Sequence, residues 1–103
     1  MAYPLPRWIA HRGGGALAPE NTLAGFRLAA RLGFRAVEFD VMLAADGVPV
    51  VIHDETLVRT TGQPGAVPDY SSEQLRGFDA GATFHDAFAG EGVPTFAEVI
   101  ALC

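Results

Sequence analysis

Two histidines and two carboxylates stand out for what they could do together. His11 follows the apolar run Trp8-Ile9-Ala10 and precedes Arg12 and the Gly13-Gly14-Gly15 cluster. His53 follows the apolar run Val48-Pro49-Val50-Val51-Ile52 and precedes Asp54. Each imidazole can take or give a proton near neutral pH, and Arg12 beside the first offers a planar fork matched to phosphate oxygens. The glycines allow a close backbone turn around an anion. Between the histidines lie Glu38 and Asp40. Two positions apart in a strand, their carboxylates share one face, about 6.5–7 Å apart at the backbone. They can converge on one hard divalent cation, Mg²⁺ or Ca²⁺.

Taken singly, each feature has a plainer reading. His11-Arg12 fits a strand end with a surface arginine, His53 a structural histidine, and Glu38/Asp40 the solvated face of an edge strand. The apolar flanks Val37, Phe39 and Val41 argue against an open face. Two strand-terminal histidines around a Glu-x-Asp pair are the parts needed to cleave a phosphodiester: a base, an acid and a metal-held phosphate. Asp54 could orient His53 or a phosphate-binding arginine such as Arg59. Glu20 either faces the site or serves a helix start. His85 reads as exposed, Trp8, Phe26 and Phe39 as core, and Asp46-Gly47 as a turn and nothing more.

The elements that must position these groups follow from local patterns. A buried strand ends at His11. Pro19-Glu20-Asn21-Thr22 starts a helix, capped by Asn21 or a neighbour, and Gly33 closes it. Its apolar face holds Leu23, Phe26, Leu28, Ala29, Ala30 and Leu32. A strand over 36–43 alternates, with Val37, Phe39 and Val41 on one face and Glu38, Asp40 and Met42 on the other. The Asp46-Gly47 turn returns the chain into 48–52, with Pro49 restricting that strand to an edge or its first residues. Residues 55–70 read as a loop. Ser71 with Gln74 and Thr95 with Glu98 are capping boxes opening helices, the first ending near Gly77. Between them, 79–94 is rich in glycine and alanine and reads as irregular. Strand, helix, strand is the beginning of an α/β pattern.

Composition narrows the classes. The 103 residues bound the chain to one domain or part of one, and half are hydrophobic, against disorder. Seven basic residues, all arginine, against twelve acidic ones leave a net charge of −5 and no basic stripe for nucleic acid. The lone Cys103 excludes an internal disulfide and a cysteine-based zinc site. The opening Met1–Arg7 lacks a secretory pattern, and no apolar run is long enough for a membrane span. The expected place is the cytoplasm.

In order and spacing, His11-Arg12-Gly13, Ala18-Pro19-Glu20-Asn21-Thr22, Glu38-Phe39-Asp40, Asp46-Gly47, His53-Asp54 and Arg59-Thr60-Thr61-Gly62 strongly resemble the glycerophosphodiester phosphodiesterase family. The likeness extends through Val93-Pro94-Thr95-Phe96-Ala97-Glu98-Val99, so it covers essentially the whole chain. It is nearest to the compact bacterial cytoplasmic members. The resemblance implies the N-terminal portion of a (β/α)8 TIM barrel, with 54–93 as a small insertion between barrel strands 2 and 3. It implies hydrolysis of glycerophosphodiesters to an alcohol and sn-glycerol 3-phosphate. His11 and His53 become the general acid and base, Glu38 and Asp40 ligands of Mg²⁺ or Ca²⁺, and Arg12 the phosphate contact. The implied route is attack by the substrate's own glycerol hydroxyl, a cyclic phosphate, then opening by water.

The family's third acidic ligand and a lysine belong to a third strand beyond residue 103. A complete barrel takes about 250 residues. The chain by itself is therefore expected to show little or no hydrolysis. Two other readings are a non-catalytic fragment and a related phospholipase or sphingomyelinase-like barrel hydrolase. Oligomeric state and headgroup preference are not legible.

Overall fold

A computed structural model describes residues 8–103. Met1–Arg7, on which the reading of a missing leader rests, lie outside the described residues. The chain is α/β, built from a parallel strand pair, an antiparallel hairpin and short helices. Strand β1 (Ala10–His11) leads through a ten-residue-scale loop into helix α1 (Leu23–Arg31) and returns as β2 (Val37–Glu38), parallel to β1. Their register pairs Ala10 with Val37 and His11 with Glu38. Strands β3 (Val41–Leu43) and β4 (Pro49–Val51) form the hairpin. Pro49 is its first residue, as its missing N–H requires, and Gly47 supplies the positive φ of the turn (76°).

Local capping chemistry sets the helix ends. Thr22, not Asn21, caps α1, its hydroxyl accepting from the Gly25 amide at 3.1 Å. Gly33, in the left-handed region (φ 88°), ends it as expected. The first turn of α1 has no acidic residue of its own, and Glu91 supplies one from 67 positions away, accepting from the Ala24 amide at 2.9 Å. Both capping boxes form: Ser71/Gln74 opens α3 (Ser72–Arg76) and Thr95/Glu98 opens α4 (Phe96–Leu102).

Residues 55–94 hold more order than the expected α3. They also contain α2 (Val58–Thr61) and two 3-10 turns, at Val67–Asp69 and Asp86–Phe88. Their apolar residues Leu57, Val67, Leu75, Ala80 and Val93 close on the hairpin residues Ala44, Val50 and Ile52 as one buried cluster. A second cluster joins Phe26, Val51 and Val99, with Leu23, Val37 and Phe39 against it, so α1 and α4 pack over the strands. Phe39 meets Phe26 edge-on at 5.7 Å between ring centroids.

Three expectations are corrected. The 36–43 strand breaks at Phe39-Asp40, and beyond the break Met42 packs into the hairpin cluster while Val41 is exposed, so the alternation does not run through. Trp8 is 68% exposed rather than core. Asp46 does more than turn the chain. Its carboxylate accepts from the Ser72 hydroxyl at 2.8 Å and the Ser72 amide at 3.2 Å, tying the hairpin to the start of α3.

Leu57 is fully buried where the hairpin meets the 55–94 segment. Leu57→Ala should cost about 2–5 kcal/mol in urea unfolding. Near-wild-type stability would show that the cluster is not a close-packed core. Separately, Arg76 donates to Glu98 at 2.8 Å and holds its carboxyl below the usual carboxylate range. A depressed folded pKa stabilises above the unfolded value of 4.5 and loses that stabilisation as pH falls through the folded one. Because the pair is partly exposed, the difference between wild type and Glu98→Gln should be under about 1 kcal/mol at pH 7. It should shrink below pH 4, read as thermal unfolding against pH.

Candidate active site

The parallel register does the first positioning. With His11 opposite Glu38, the imidazole Nε2 lies 3.6 Å from Glu38 Oε1. The same oxygen accepts from the Arg12 backbone amide at 3.2 Å. Arg12 has φ 50°, uncommon for a residue with a side chain, and this conformation turns the backbone sharply out of β1. Gly13 follows at φ 79°, and a Cβ there would come within 2.9 Å of the Phe26 ring, so the loop needs glycine on both counts.

The Arg12 carbonyl then accepts from the Asn21 amide at 2.8 Å, closing the loop against the start of α1. Asn21 is buried and has φ 54°, a conformation asparagine tolerates better than most residues. Its side-chain amide donates to Asp40 Oδ2 at 3.5 Å. Asp40 is fixed from the other side too, its carbonyl accepting from the Ile52 amide at 3.0 Å, one residue before His53. Thus the break in the 36–43 strand places Asp40 between the helix start and the end of the hairpin.

His53 Nδ1 lies 2.7 Å from Asp54 Oδ1. Arg59, from the first turn of α2, donates from Nε to Asp54 Oδ2 at 2.7 Å and from Nη2 to Asp54 Oδ1 at 3.0 Å. Its other edge grips Glu20, Nη1 to Oε1 at 2.5 Å and Nη2 to Oε2 at 2.9 Å. Glu20 in turn accepts from Arg12 Nη1 at 3.3 and 3.4 Å. Hydrogen bonds from Arg59 hold both carboxyls, Glu20 and Asp54, below the usual range, with Asp54 lowered further by His53.

One connected set therefore contains all five residues singled out for chemistry: His11, Arg12, Glu38, Asp40 and His53. Four more residues complete it: Asp54, which joins His53 to Arg59, and Glu20, Arg59 and Asn21. Glu20 and Arg59 were open in the sequence, since nothing there says which charges meet across 39 positions. Asn21 carried a cap signal, yet it serves Asp40 instead. His85 stays outside the set, exposed, accepting from the Ala87 amide at its own 3-10 turn. A shallow cavity of about 150 Å³ opens beside the network, lined by Pro19, Glu20, Arg59, Thr60, Thr83 and Phe84 among others. Phe84, one of the lining residues, meets Phe88 edge-on at 5.7 Å between ring centroids.

The donor set suits a hard cation, since Glu38 and Asp40 offer only oxygen. Among the described residues no group of three His, Cys, Asp or Glu side chains is close enough to hold a metal by itself. Two carboxylates with water or phosphate oxygens completing the shell is an ordinary arrangement for Mg²⁺. No helix among the described residues is long and apolar enough to cross a membrane.

Residues 11–103 match the sequence model of the Glycerophosphoryl diester phosphodiesterase family. The chain is 50% identical over 94 residues to the glycerophosphodiester phosphodiesterase of Caldanaerobacter subterraneus, covering 91% of this chain and 39% of that protein. It superposes with TM-score 0.92 on a phosphodiesterase from Oleispira antarctica, solved in complex with the product sn-glycerol-3-phosphate. That pair shares 44% identity over 95% of this chain and 40% of the other. A glycerophosphodiester phosphodiesterase from Agrobacterium tumefaciens gives TM-score 0.85 and 45% identity, over 91% of this chain and 41% of that one. The chain thus spans about two fifths of the length of these relatives, consistent with part of a TIM barrel. With a family match running from His11 to the last residue, the chain belongs to the glycerophosphodiester phosphodiesterase family.

Proposed function

We propose that this chain supplies the two-histidine acid/base pair, the phosphate arginine and two metal ligands of a hydrolase. The hydrolase converts glycerophosphodiesters to an alcohol and sn-glycerol 3-phosphate. The observation that carries the proposal is the connected network itself, in which His11 meets Glu38, Arg12 joins Glu38 to Glu20, Arg59 and Asp54 lead on to His53, and Asp40 is tied in through Asn21. The product bound to the Oleispira relative supports the substrate class.

Arg12 binds a phosphoryl oxygen with a guanidinium held only at 3.3–3.4 Å by Glu20, so an anion can compete for it. One histidine takes the proton of the substrate's glycerol hydroxyl as that oxygen attacks phosphorus. The other gives a proton to the departing alcohol oxygen, leaving a cyclic phosphate. In the second step the roles reverse: the histidine left neutral takes a proton from water, and the other returns one to the ring oxygen that leaves. Glu38 and Asp40 would hold the Mg²⁺ or Ca²⁺, which when bound offsets the phosphate charge. Residues 54–93 serve as an insertion of the barrel between its strands 2 and 3, packed by their own share of the hairpin cluster.

The direct test joins residues 1–103 to the remaining barrel strands of the Oleispira relative and follows glycerol 3-phosphate release from glycerophosphocholine. Turnover should require Mg²⁺ or Ca²⁺ and stop with EDTA. His11→Ala and His53→Ala should each lower kcat by about 10²–10⁴-fold. Arg12→Ala should act mainly on KM. Unimpaired turnover in either histidine variant would sink the assignment.

A further inference from the structure

The sequence offers Arg59 as a phosphate arginine alongside Arg12, but the bond lengths separate the two. Arg59 spends four of the five N–H donors of a guanidinium on two carboxylates, at 2.5 to 3.0 Å, in two bidentate grips. Arg12 meets Glu20 through Nη1 alone, at 3.3 Å or longer, and its buried Nε has no hydrogen-bond partner. An arriving phosphate has one loose contact to displace at Arg12. At Arg59 it has two closed forks to break, which would leave Asp54 without an arginine and Glu20 with only the looser contact to Arg12.

We infer that Arg59 is a positioning residue for His53 and not a phosphate ligand. It clamps the Asp54 carboxylate between itself and the ring so that His53 keeps its proton on Nδ1 and exchanges protons through Nε2. The inference rests on His53 having the acid/base role proposed above.

Geometry explains why a clamp is needed. Asp54 is the next residue in the chain, and its pair with His53 is partly exposed, the side chains 24% and 41% accessible. A neighbouring carboxylate in water swings among rotamers and fixes no tautomer, whereas the imidazole needs a steady acceptor to have one. Arg59 holds both Asp54 oxygens, and Glu20 fixes Arg59 from its opposite edge, so neither member of the pair is free to turn. Glu20 also reaches Arg12, and the four side chains alternate in sign from Arg12 through Glu20 and Arg59 to Asp54. When phosphate draws Arg12 away, Glu20 keeps its shorter bonds to Arg59, and the clamp on His53 survives substrate binding. The shifts agree in direction: Arg59 is raised, first by its hydrogen bond to Glu20, and Asp54 is lowered, first by Arg59.

The test is made on the 103-residue chain itself and does not need turnover. Ring-nitrogen NMR of the neutral form should show His53 as the Nδ1–H tautomer in the wild type. Arg59→Gln should give a mixture or the Nε2–H tautomer. Arg59→Lys, which keeps the charge but cannot form the fork, should fall between and reports in its place if the glutamine variant unfolds. In a titration with inorganic phosphate, Arg12→Gln should weaken binding about tenfold or more, a loss of one charge-assisted contact. Arg59→Gln should stay within about twofold of wild type. An unchanged Nδ1–H tautomer in folded Arg59 variants overturns the inference. So does a loss of phosphate affinity in Arg59→Gln equal to that in Arg12→Gln. Failure of the completed barrel to hydrolyse substrate would instead overturn the proposed reaction and leave the tautomer result standing.

Discussion

Glu20 lies between Arg12 and Arg59, one carboxylate shared by a guanidinium 8 positions before it in the loop after β1 and another 39 positions after it in α2. Removing it would leave two neighbouring cations facing each other with only Asp54 to balance them, and the loop after β1 would lose its side-chain tie to α2. The backbone alone brings His11 to Glu38 and Asp40 to Ile52. It does not by itself bring the first histidine's loop to the second's. That junction is electrostatic, and it is only partly sheltered from water, so its strength comes from bidentate geometry more than from low dielectric.

Packing supplies what the ion pairs cannot. The Phe26, Val51 and Val99 cluster sets the distance of α1 from the hairpin, and the start of α1 carries Glu20, Asn21 and Thr22. Glu91 pins the same helix start from the far end of the 55–94 segment. Gly25, inside that first turn, is required for a related reason: a Cβ there would lie 2.8 Å from the Pro19 carbonyl oxygen. Thus the Pro19–Thr22 corner is held by core, cap and distant carboxylate together, and the site inherits that rigidity. Beyond that corner the cover is thinner: Leu32 and Phe34 after α1, and Ile100 and Leu102 of α4, are exposed.

What the sequence disclosed divides along physical lines. Features set within a few residues were legible: the Thr95/Glu98 and Ser71/Gln74 boxes, Gly33 as a helix end, the Asp46-Gly47 turn and the place of Pro49. The five candidate residues stood out because each was expected at a strand end or on a strand's polar face and because their order resembles a known family; the structure joins them in one hydrogen-bonded set, and their roles are the proposal made above. Features set by partners far along the chain were not legible. Nothing around Arg59 tells that Glu20 will occupy its outer edge, and Asn21 looks like a cap until Thr22 takes that place. Met42 left the polar face because the strand breaks at Phe39-Asp40, which alternation of residue types does not reveal. Residues 55–70 read as loop since α2 is only four residues long, too short for a periodic pattern to declare itself, whereas the equally brief α3 is announced by its capping box.

The parallel register of β1 on β2 has a consequence for how errors in folding would be felt. The pair is two residues long on each side, so few hydrogen bonds resist a slip by one position. Such a slip would set His11 against Val37 or Phe39, putting an imidazole where an apolar side chain belongs and turning Glu38 towards the Phe26 cluster. A misaligned strand pair would therefore lose buried apolar surface and the reactive juxtaposition at the same moment. Selection for a well-folded chain and selection for a competent one act here on a single alignment, and neither can drift without the other noticing.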